Sequence, residues 1–156
     1  MHVGFIGVGA MGRPMAANLI KKGFTVTAYD ASAEALAAIV TLGAAHAGSS
    51  ADAARVSDIV ITILPSSANV VAAYLGEGGV LEGAAAGRLC VDMSTIDPAT
   101  SRLVAATASQ RGIRFIDAPV SGGVPRAEDG TLAIMVGGDG KDVDDCLLYT
   151  SDAADE

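Results

Sequence analysis

Two hydrophobic patterns alternate along the chain. Short runs rich in β-branched residues are separated by longer alanine-rich stretches in which apolar residues recur at helical spacing. This alternation predicts βαβ units that feed a mainly parallel sheet. Strands are predicted over residues 2–7, 25–30, 59–64, 89–93, 113–118 and 132–137. Because the runs at 59–64 and 89–93 are almost continuously apolar, we place both in the middle of the sheet, where both faces are covered.

Capping residues indicate where the helices begin and end. Helices are predicted over residues 11–22, 32–42 and 97–111, and another begins near residue 142. Gly23 ends the first helix, and Ser32 caps the second. In the third, Asp97 precedes Pro98, which suits the first helical position because no intrahelical bond needs its amide there. Together the elements predict an α/β fold, a doubly wound sheet with helices on both faces.

Composition and charge restrict the function. The chain has 156 residues, of which 51% are hydrophobic, enough for one domain with a sizeable core. Its formal net charge is −8, which repels phosphate backbones and anionic lipid surfaces. No apolar run approaches the roughly 20 residues of a membrane-spanning helix. We therefore expect no nucleic-acid or membrane partner. The two cysteines are too few for a disulfide framework and favour a soluble protein of the reducing cytoplasm.

A glycine motif follows the first predicted strand and opens the first predicted helix. Its sequence is Gly7-Val8-Gly9-Ala10-Met11-Gly12, with the G-x-G-x-x-G spacing of dinucleotide-binding turns. In such a turn Gly7 permits the sharp bend, Gly9 lets the backbone approach a pyrophosphate, and Gly12 allows helix and strand to pack closely. The free amide groups at the helix N-terminus then bind the anion.

Asp30 ends the second predicted strand, where a carboxylate can accept hydrogen bonds from an adenosine ribose. Residues 31–33 are Ala-Ser-Ala and include no arginine to hold a 2′-phosphate. NAD is therefore favoured over NADP as the cofactor, and NADP is kept as the alternative. The competing interpretation is that Asp30 is only a turn or capping residue.

Hydroxyl side chains follow three further strands. They belong to Ser66 and Ser67, to Ser94 and Thr95, and to Ser121 beside Gly122 and Gly123. Ligands bind at the carboxyl ends of strands in open α/β sheets, but helix capping explains the first four residues equally well. The segment 117–123 offers a hydroxyl and accessible amides that could cradle a carboxylate. Taken alone, that segment is also explained as a simple glycine-rich turn.

Four segments carry a resemblance to a known family. They are residues 5–19 (FIGVGAMGRPMAANL), 64–67 (LPSS), 92–98 (DMSTIDP) and 117–123 (DAPVSGG). In order and spacing they resemble the β-hydroxyacid dehydrogenases of the 3-hydroxyisobutyrate dehydrogenase type, over residues 2–140. The resemblance implies an N-terminal Rossmann-type domain that binds NAD(P). It also implies an oxidoreductase that moves hydride between a nicotinamide cofactor and a small 3-hydroxy acid or its semialdehyde.

The resemblance further implies roles for individual residues. The cofactor contacts would be Gly7, Val8, Gly9, Ala10, Met11, Gly12, Asp30, Leu64, Pro65, Asn69 and Thr95, and the substrate carboxylate would be held by Ser121, Gly122 and Gly123. The family's acid/base is a lysine of a K-x-x-x-N motif in a later helical domain. Lys21, Lys22 and Lys141 are followed four residues later by Thr, Val and Asp, so none fits. We expect the catalytic group to lie outside this chain.

The dinucleotide-binding domain is expected over residues 1–145. Residues 146–156, CLLYTSDAADE, resemble a translated sequencing-adapter read-through, and a natural acidic terminus is the alternative. We therefore expect a truncated chain that lacks the helical catalytic domain and is inactive by itself. Such a chain would leave an apolar face exposed near residues 132–137 and be poorly soluble. The parent protein is expected to form a homo-oligomer.

Other functions are kept as alternatives. A tartronate semialdehyde reductase or an imine reductase would look similar here and differ in the missing domain. A dinucleotide-binding module without chemistry would bind cofactor and show no turnover, and a methyltransferase is disfavoured by Asp30 and the three-glycine spacing. Metal sites are not indicated, because His2 and His46 lie far apart without acidic or cysteine neighbours. Cys90, within an apolar strand, is interpreted as a core residue.

Overall fold

The computed structural model describes residues 1–151, with side chains described through residue 146. Within these residues the strands are β1 His2–Ile6, β2 Thr25–Tyr29, β3 Ala45–His46, β4 Ile59–Thr62, β5 Leu89–Asp92, β6 Arg114–Asp117, β7 Val120–Ser121 and β8 Ala133–Ile134. The helices are α1 Gly12–Lys21, α2 Ala33–Val40, α3 Ser50–Arg55, α4 Ser67–Leu75, α5 Val80–Gly83, α6 Pro98–Gln110, α7 Gly123–Asp129 and α8 Gly140–Ser151.

Six of the strands form one sheet in the order β3-β2-β1-β4-β5-β6, and every neighbouring pair is parallel. From β1 the chain builds outward to β3 on one side, then returns and builds outward from β4 to β6 on the other. The predicted doubly wound α/β fold is therefore confirmed. The interior positions predicted for the runs 59–64 and 89–93 are confirmed as β4 and β5.

The core consists of two apolar layers, one on each face of the sheet. On one face Phe5 packs with Ala16 of α1 and Ile39 of α2. On the other face the rings of Tyr74 and Phe115 meet edge to face, with centroids 5.5 Å apart and planes 85° apart. Burial on both faces explains why β4 and β5 are apolar up to their last residue.

The predicted caps of α2 and α6 are confirmed. The Ser32 hydroxyl oxygen accepts the N–H of Ala35 at 3.2 Å, and the Asp97 carboxylate accepts the N–H of Thr100 at 2.8 Å. Pro98 begins α6, as predicted. The ends of the observed elements lie within one or two residues of most predicted ends, a difference that fraying helix and strand termini ordinarily produce.

The strand predicted over 132–137 is wrong in both extent and position. Only β8 forms there, and it pairs antiparallel with β7 in a two-stranded ribbon outside the main sheet. Both residues of β8 are exposed, whereas Val136 packs against the apolar layer that contains Phe5, and Gly137 bridges to Asp117 at the end of β6. The apolar pattern therefore predicted one strand of six residues where only two residues pair with β7. Glycines at 130, 137 and 138 also limit its length.

Helix α8 crosses the expected domain boundary between residues 145 and 146. Cys146 is half-buried and packs against the apolar layer that contains Phe5. The helix begins at Gly140, two residues before the predicted start. Residues 152–156 of the expected read-through tail lie outside the described residues, so that interpretation of the tail stays a prediction.

Candidate cofactor-binding site

A cleft of about 760 Å³ opens at the carboxyl ends of β1, β2 and β4, and we call it the edge cleft. Its size is in the range of cofactor and small-molecule sites. Nine of the eleven residues predicted to contact a cofactor line it: Gly7, Gly9, Ala10, Met11, Gly12, Asp30, Leu64, Pro65 and Asn69. The fold thus gathers residues from four separate segments into one cavity.

The three motif glycines have different surroundings. Gly7 has φ = +91°, and a Cβ atom there would lie 2.1 Å from the carbonyl oxygen of Ile63. A Cβ at Gly12 would lie 1.8 Å from the carbonyl oxygen of Gly7. A Cβ at Gly9 would meet nothing within 4 Å and would project into open space. Gly7 and Gly12 are therefore required by the packing of the turn, whereas the space beside Gly9 is left for a ligand.

The N-terminus of α1 is open toward the edge cleft. Met11 occupies the N-cap position without a side-chain hydrogen bond, and the first turn carries no acidic residue. By contrast, α2, α3, α4 and α6 are capped by the side chains of Ser32, Ser49, Ser66 and Asp97. The amide groups and positive dipole end of α1 are consequently available to an anion such as a pyrophosphate.

Asp30 is held in place by two backbone amides at the rim of the cleft. Its Oδ2 accepts the N–H of Val8 at 2.8 Å, and its Oδ1 accepts the N–H of Ser32 at 2.7 Å. Each carboxylate oxygen keeps a free lone pair for a ligand hydroxyl. The alternative of a simple turn residue is thus compatible with the same geometry, but Asp30 also faces the cavity. No arginine or lysine is among the described residues that line the cleft.

The opposite wall is formed by the turn after β4 and by α4. The Ser66 hydroxyl accepts the N–H of Asn69 at 3.3 Å and donates to Asn69 Oδ1 at 2.6 Å. Ser67 accepts the N–H of Asp97 at 3.1 Å. The capping interpretation therefore holds for Ser66, and Ser67 supports the start of α6. Asn69 reaches the cleft with its carbonyl oxygen already engaged.

Five predicted site residues do not line the edge cleft. Val8 is buried and contributes only its N–H to Asp30, and Thr95 is exposed one residue beyond the buried Ser94. The three predicted substrate residues, Ser121, Gly122 and Gly123, are exposed at the junction of β7 and α7. Gly122 and Gly123 have φ values of +139° and +70°, which L side chains rarely adopt.

Helix α7 docks on α1 and fixes the place of the predicted substrate segment. Asn18 of α1 donates through Nδ2 to the carbonyl oxygens of Ala127 at 2.9 Å and Glu128 at 3.3 Å. This contact joins residues more than 100 positions apart in the chain. The predicted substrate segment is therefore tied to the same helix whose N-terminus opens on the cleft.

Several cleft residues were not foreseen from the sequence. They include Tyr29, Ser49, Ser50, Ala72, Ala73 and Glu77. The serines precede and begin α3, and Glu77 follows α4, so their presence depends on how these helices pack over the sheet. A Gly-Ser-Ser run before α3 is the only local signal, and it equally fits the cap that Ser49 provides.

A buried polar cluster lies beneath the cleft at the ends of β4, β5 and β6. Thr62 donates to Asp92 Oδ1 at 2.7 Å and lies 3.1 Å from the Tyr74 hydroxyl. Burial raises the pKa of Asp92, although its hydrogen bonds from Ser94 and Thr62 oppose that shift. Burial and the charge of Asp92 likewise raise the pKa of Asp117. One oxygen of each carboxylate, Asp92 Oδ2 and Asp117 Oδ1, has no hydrogen-bond partner.

Cys90 and the two histidines do not line the cleft. Among the residues that the structure describes, no group of three or more His, Cys, Asp or Glu side chains is placed to hold a metal ion. Burial raises the pKa of the Cys90 thiol to about 12, which agrees with its interpretation as a core residue. His2 lies at the start of β1, with Nε2 2.7 Å from Thr27 Oγ1. In the same residues no helix has the length and apolar character needed to cross a membrane.

Comparison with known proteins agrees with this geometry. Residues 2–149 match the family model for the NAD binding domain of 6-phosphogluconate dehydrogenase. The chain is 47% identical over 137 residues to 2-(hydroxymethyl)glutarate dehydrogenase of Eubacterium barkeri, covering 88% of this chain and 46% of that protein. It is 44% identical over 138 residues to NAD-dependent L-serine dehydrogenase of Pseudomonas aeruginosa, covering 88% and 46%.

A solved structure gives the same result. The structure of Mycobacterium tuberculosis 3-hydroxyisobutyrate dehydrogenase with L-serine superposes with a TM-score of 0.87 at 39% identity, covering 91% of this chain and 48% of that one. The chain spans about half the length of the curated relatives it matches. The predicted resemblance is confirmed, and the chain belongs to the family of the NAD binding domain of 6-phosphogluconate dehydrogenase.

Proposed function

We propose that the edge cleft holds the dinucleotide of an oxidoreductase that transfers hydride between NAD and a small 3-hydroxy acid. The observation that carries the proposal is the position of Asp30. Two backbone amides hold its carboxylate at the rim of the edge cleft, which the glycine turn also lines. In this fold such a carboxylate binds the adenosine ribose. When bound, the nicotinamide supplies or accepts the hydride.

Different residues of the edge cleft are proposed to bind different parts of the dinucleotide. The open N-terminus of α1 receives the pyrophosphate, and Gly9 leaves room for it because a side chain there would occupy the open space. Leu64, Pro65 and Asn69 form the facing wall, and Val8 orients Asp30 through its amide. Thr95, exposed just after β5, is proposed to contact the cofactor from the adjoining edge of the sheet.

The cofactor preference follows from charge. A 2′-phosphate at the adenosine ribose would face Asp30, and no described cationic side chain lines the cleft to offset the repulsion. NAD is therefore the proposed cofactor, with NADP as the weaker ligand. The relative from Pseudomonas aeruginosa is itself named as NAD-dependent.

The proposed substrate is a small 3-hydroxy acid whose carboxylate binds at Ser121, Gly122 and Gly123. The relatives above are named for 2-(hydroxymethyl)glutarate, L-serine and 3-hydroxyisobutyrate, each of which has a hydroxyl on the carbon next to the one bearing the carboxylate. The exposed hydroxyl and left-handed glycines of the segment offer donors without side-chain obstruction. Reduction of the aldehyde of tartronate semialdehyde produces a hydroxyl at the same position, so its reductase is the second candidate.

We propose that proton transfer in this reaction uses the lysine of a K-x-x-x-N motif, as the family resemblance implies. No lysine of the sequence is followed four residues later by asparagine. We propose that the domain of residues 1–145 binds cofactor without turnover by itself. A helical domain in a homo-oligomeric parent would supply the acid/base. We place that parent in the cytoplasm, a location that suits the unpaired Cys90 of this domain and that imaging of a tagged protein would check.

Titration calorimetry of the folded chain tests the proposal. We expect heat of binding with NAD⁺, affinity for NADP⁺ weaker by about tenfold, which corresponds to 1.4 kcal/mol, and no response to S-adenosylmethionine. Absence of binding by either nicotinamide coenzyme would overturn the proposal. Turnover of L-serine or 3-hydroxyisobutyrate by the full-length gene product would then separate a dehydrogenase from an imine reductase and from a module that only binds the dinucleotide.

A further inference from the structure

We propose that Asp92 and Ser94 are a positioning pair that fixes the turn of residues 63–65 and thereby the shape of the dinucleotide site. The inference rests on the proposed NAD-binding function of the edge cleft. Neither residue lines the cleft, and both are buried. Their effect on the cofactor must therefore pass through the backbone that they hold.

One carboxylate oxygen of Asp92 accepts hydrogen bonds from two hydroxyl groups. It ends β5, between β4 and β6 of the sheet, and none of it is exposed. Its Oδ1 accepts the hydroxyl of Thr62 at 2.7 Å and the hydroxyl of Ser94 at 2.6 Å. Because a hydroxyl has a single hydrogen, Ser94 is committed as a donor to Asp92.

Ser94 relays this constraint to the cleft. With its hydrogen given to Asp92, the oxygen of Ser94 is left as an acceptor, and it takes the N–H of Leu64 at 2.8 Å. The preceding amide, that of Ile63, donates to the carbonyl oxygen of Ile6 in β1 at 3.0 Å. The turn is thus held by two successive amides, one bound to the strand and one bound to Ser94.

The turn has little freedom to move without disturbing the glycine motif. A Cβ at Gly7 would lie 2.1 Å from the Ile63 carbonyl oxygen and 3.0 Å from a methyl carbon of Leu64. A Cβ at Gly12 would lie 3.0 Å from a methyl carbon of Ile63. The backbone of the turn therefore packs directly against the two glycines that shape the pyrophosphate site.

The second oxygen of Asp92, Oδ2, makes it possible to test whether Asp92 acts as a hydrogen-bond acceptor or through its negative charge. Oδ2 is buried without a partner, and so is Oδ1 of Asp117, the residue paired with Asp92 across β5 and β6. An asparagine at position 92 would keep Oδ1 as the acceptor for both hydroxyls. Its Nδ2 group would take the place of the unpartnered Oδ2, so the substitution removes the charge and keeps the oxygen that both hydroxyls need.

The test compares four variants with the wild-type chain: Asp92→Asn, Asp92→Ala, Ser94→Ala and, as a control, Ser109→Ala. Ser109 is exposed on α6 and outside the cleft, so its substitution removes a hydroxyl without touching the turn. The measurements are NAD⁺ affinity by calorimetry and hydrogen exchange of the Leu64 and Ile63 amides by NMR. Exchange at Leu64 alone separates a local effect from general loosening.

We expect Ser94→Ala and Asp92→Ala to weaken NAD⁺ binding on the order of tenfold, the effect of losing one buried hydrogen bond. In both, the Leu64 amide exchanges faster while the Ile63 amide is unchanged. Asp92→Asn and Ser109→Ala should stay within about twofold of the wild type, a difference well below one such bond. If Asp92→Ala does not fold, Ser94→Ala and Asp92→Asn still provide the comparison.

Three results would overturn the positioning pair. They are wild-type affinity in Ser94→Ala, a loss in Asp92→Asn as large as that in Ser94→Ala, and equally accelerated exchange at Ile63 and Leu64. If the wild-type chain binds no nicotinamide coenzyme, the proposed function fails instead, and the coupling of the pair to a cofactor falls with it. The two failures are therefore distinguished by the wild-type titration.

Discussion

The two parts of the proposed active site are built in opposite ways. The dinucleotide part lies where buried parallel strands end, and its key groups are fixed by backbone contacts such as that of Val8 to Asp30. The substrate part lies on the ribbon of β7 and β8, outside the main sheet, where Ile134 is 45% and Met135 is 56% exposed. The sheet therefore determines the cofactor site by its own packing, whereas the substrate segment has no comparable layer over it in the described residues.

The strongest way to break this comparison is to alter the glycine turn itself. Gly12→Ala should destabilise the fold by about 3 kcal/mol or more, because backbone at a 1.8 Å separation must shift to admit the Cβ. Gly9→Ala should leave the free energy of unfolding within about 0.5 kcal/mol, since the added methyl group meets only open space. It should nevertheless weaken NAD⁺ binding. Urea unfolding and calorimetry of both variants check this.

The outcome for Gly9→Ala decides whether the dinucleotide binds against the glycine turn. Undiminished NAD⁺ binding would show that the dinucleotide does not approach the turn at Gly9. Equal destabilisation by both substitutions would contradict the different surroundings of the two glycines.

A second change removes the carboxylate at the rim. Asp30→Ala should weaken NAD⁺ binding about 10- to 100-fold, the effect of losing hydrogen bonds to a charged group. It should narrow the difference between NAD⁺ and NADP⁺, because the repulsion of the 2′-phosphate is removed. Glu34→Ala provides the control, since this exposed acid lies in the first turn of α2 and does not line the cleft. An unchanged NAD⁺/NADP⁺ ratio in Asp30→Ala would contradict the assignment.

The same contrast explains which features could be predicted from sequence. The bend at Gly7, the cap at Ser32 and the start of α6 at Pro98 could be predicted because residue types within a few positions indicate each of them, although the packing at Gly7 also involves Ile63. The interior strands could be predicted because burial on both faces leaves a continuous apolar run. The position of Asp30 could be predicted as well, because its distance along the chain from the glycine motif and its place after β2 both indicate it.

What could not be predicted depends on contacts between distant segments. Ser49 and Glu77 reach the cleft only because α3 and α4 pack over the sheet, and no local pattern reports that packing. The bond from Leu64 to Ser94 joins residues 30 positions apart. The run 132–137 was apolar enough for a strand, but apolar character does not reveal whether a second layer covers it.

The pH dependence of the free energy of unfolding provides a third test, with a smaller expected effect. The pKa of Asp92 is raised above its ordinary value of 3.8, so the folded chain binds this proton at a pH where the unfolded chain has released it. The free energy of unfolding should therefore fall as pH rises from about 3.8 through the folded pKa, by at most about 1.4 kcal/mol per pH unit. Asp58 and Asp97 have lowered pKa values and act in the opposite direction, so their contribution is lost below pH 3.8.

Urea unfolding from pH 3 to 8 measures both effects, and Asp92→Asn separates them. This variant should reduce the decline at higher pH, to which Asp117 also contributes, and keep the decline in acid, because Asp58 and Asp97 are unchanged. An identical pH profile for the variant and the wild type would mean that Asp92 does not govern stability in that range.

The smallest expected effect concerns the exposed ribbon. Met135→Lys should change the free energy of unfolding by no more than about 0.5 kcal/mol, as is usual for a surface substitution, and leave NAD⁺ binding unaltered. It should reduce self-association, because Ile134 and Met135 are adjacent apolar side chains that are both exposed. Leu103→Lys is the matched control, since Leu103 is 50% exposed on α6. Light scattering over a range of concentrations provides the measurement. Equal improvement by both variants would mean that exposed apolar residues act generally, and a wild-type chain that stays monomeric at high concentration would remove the distinction between the ribbon and the rest of the surface.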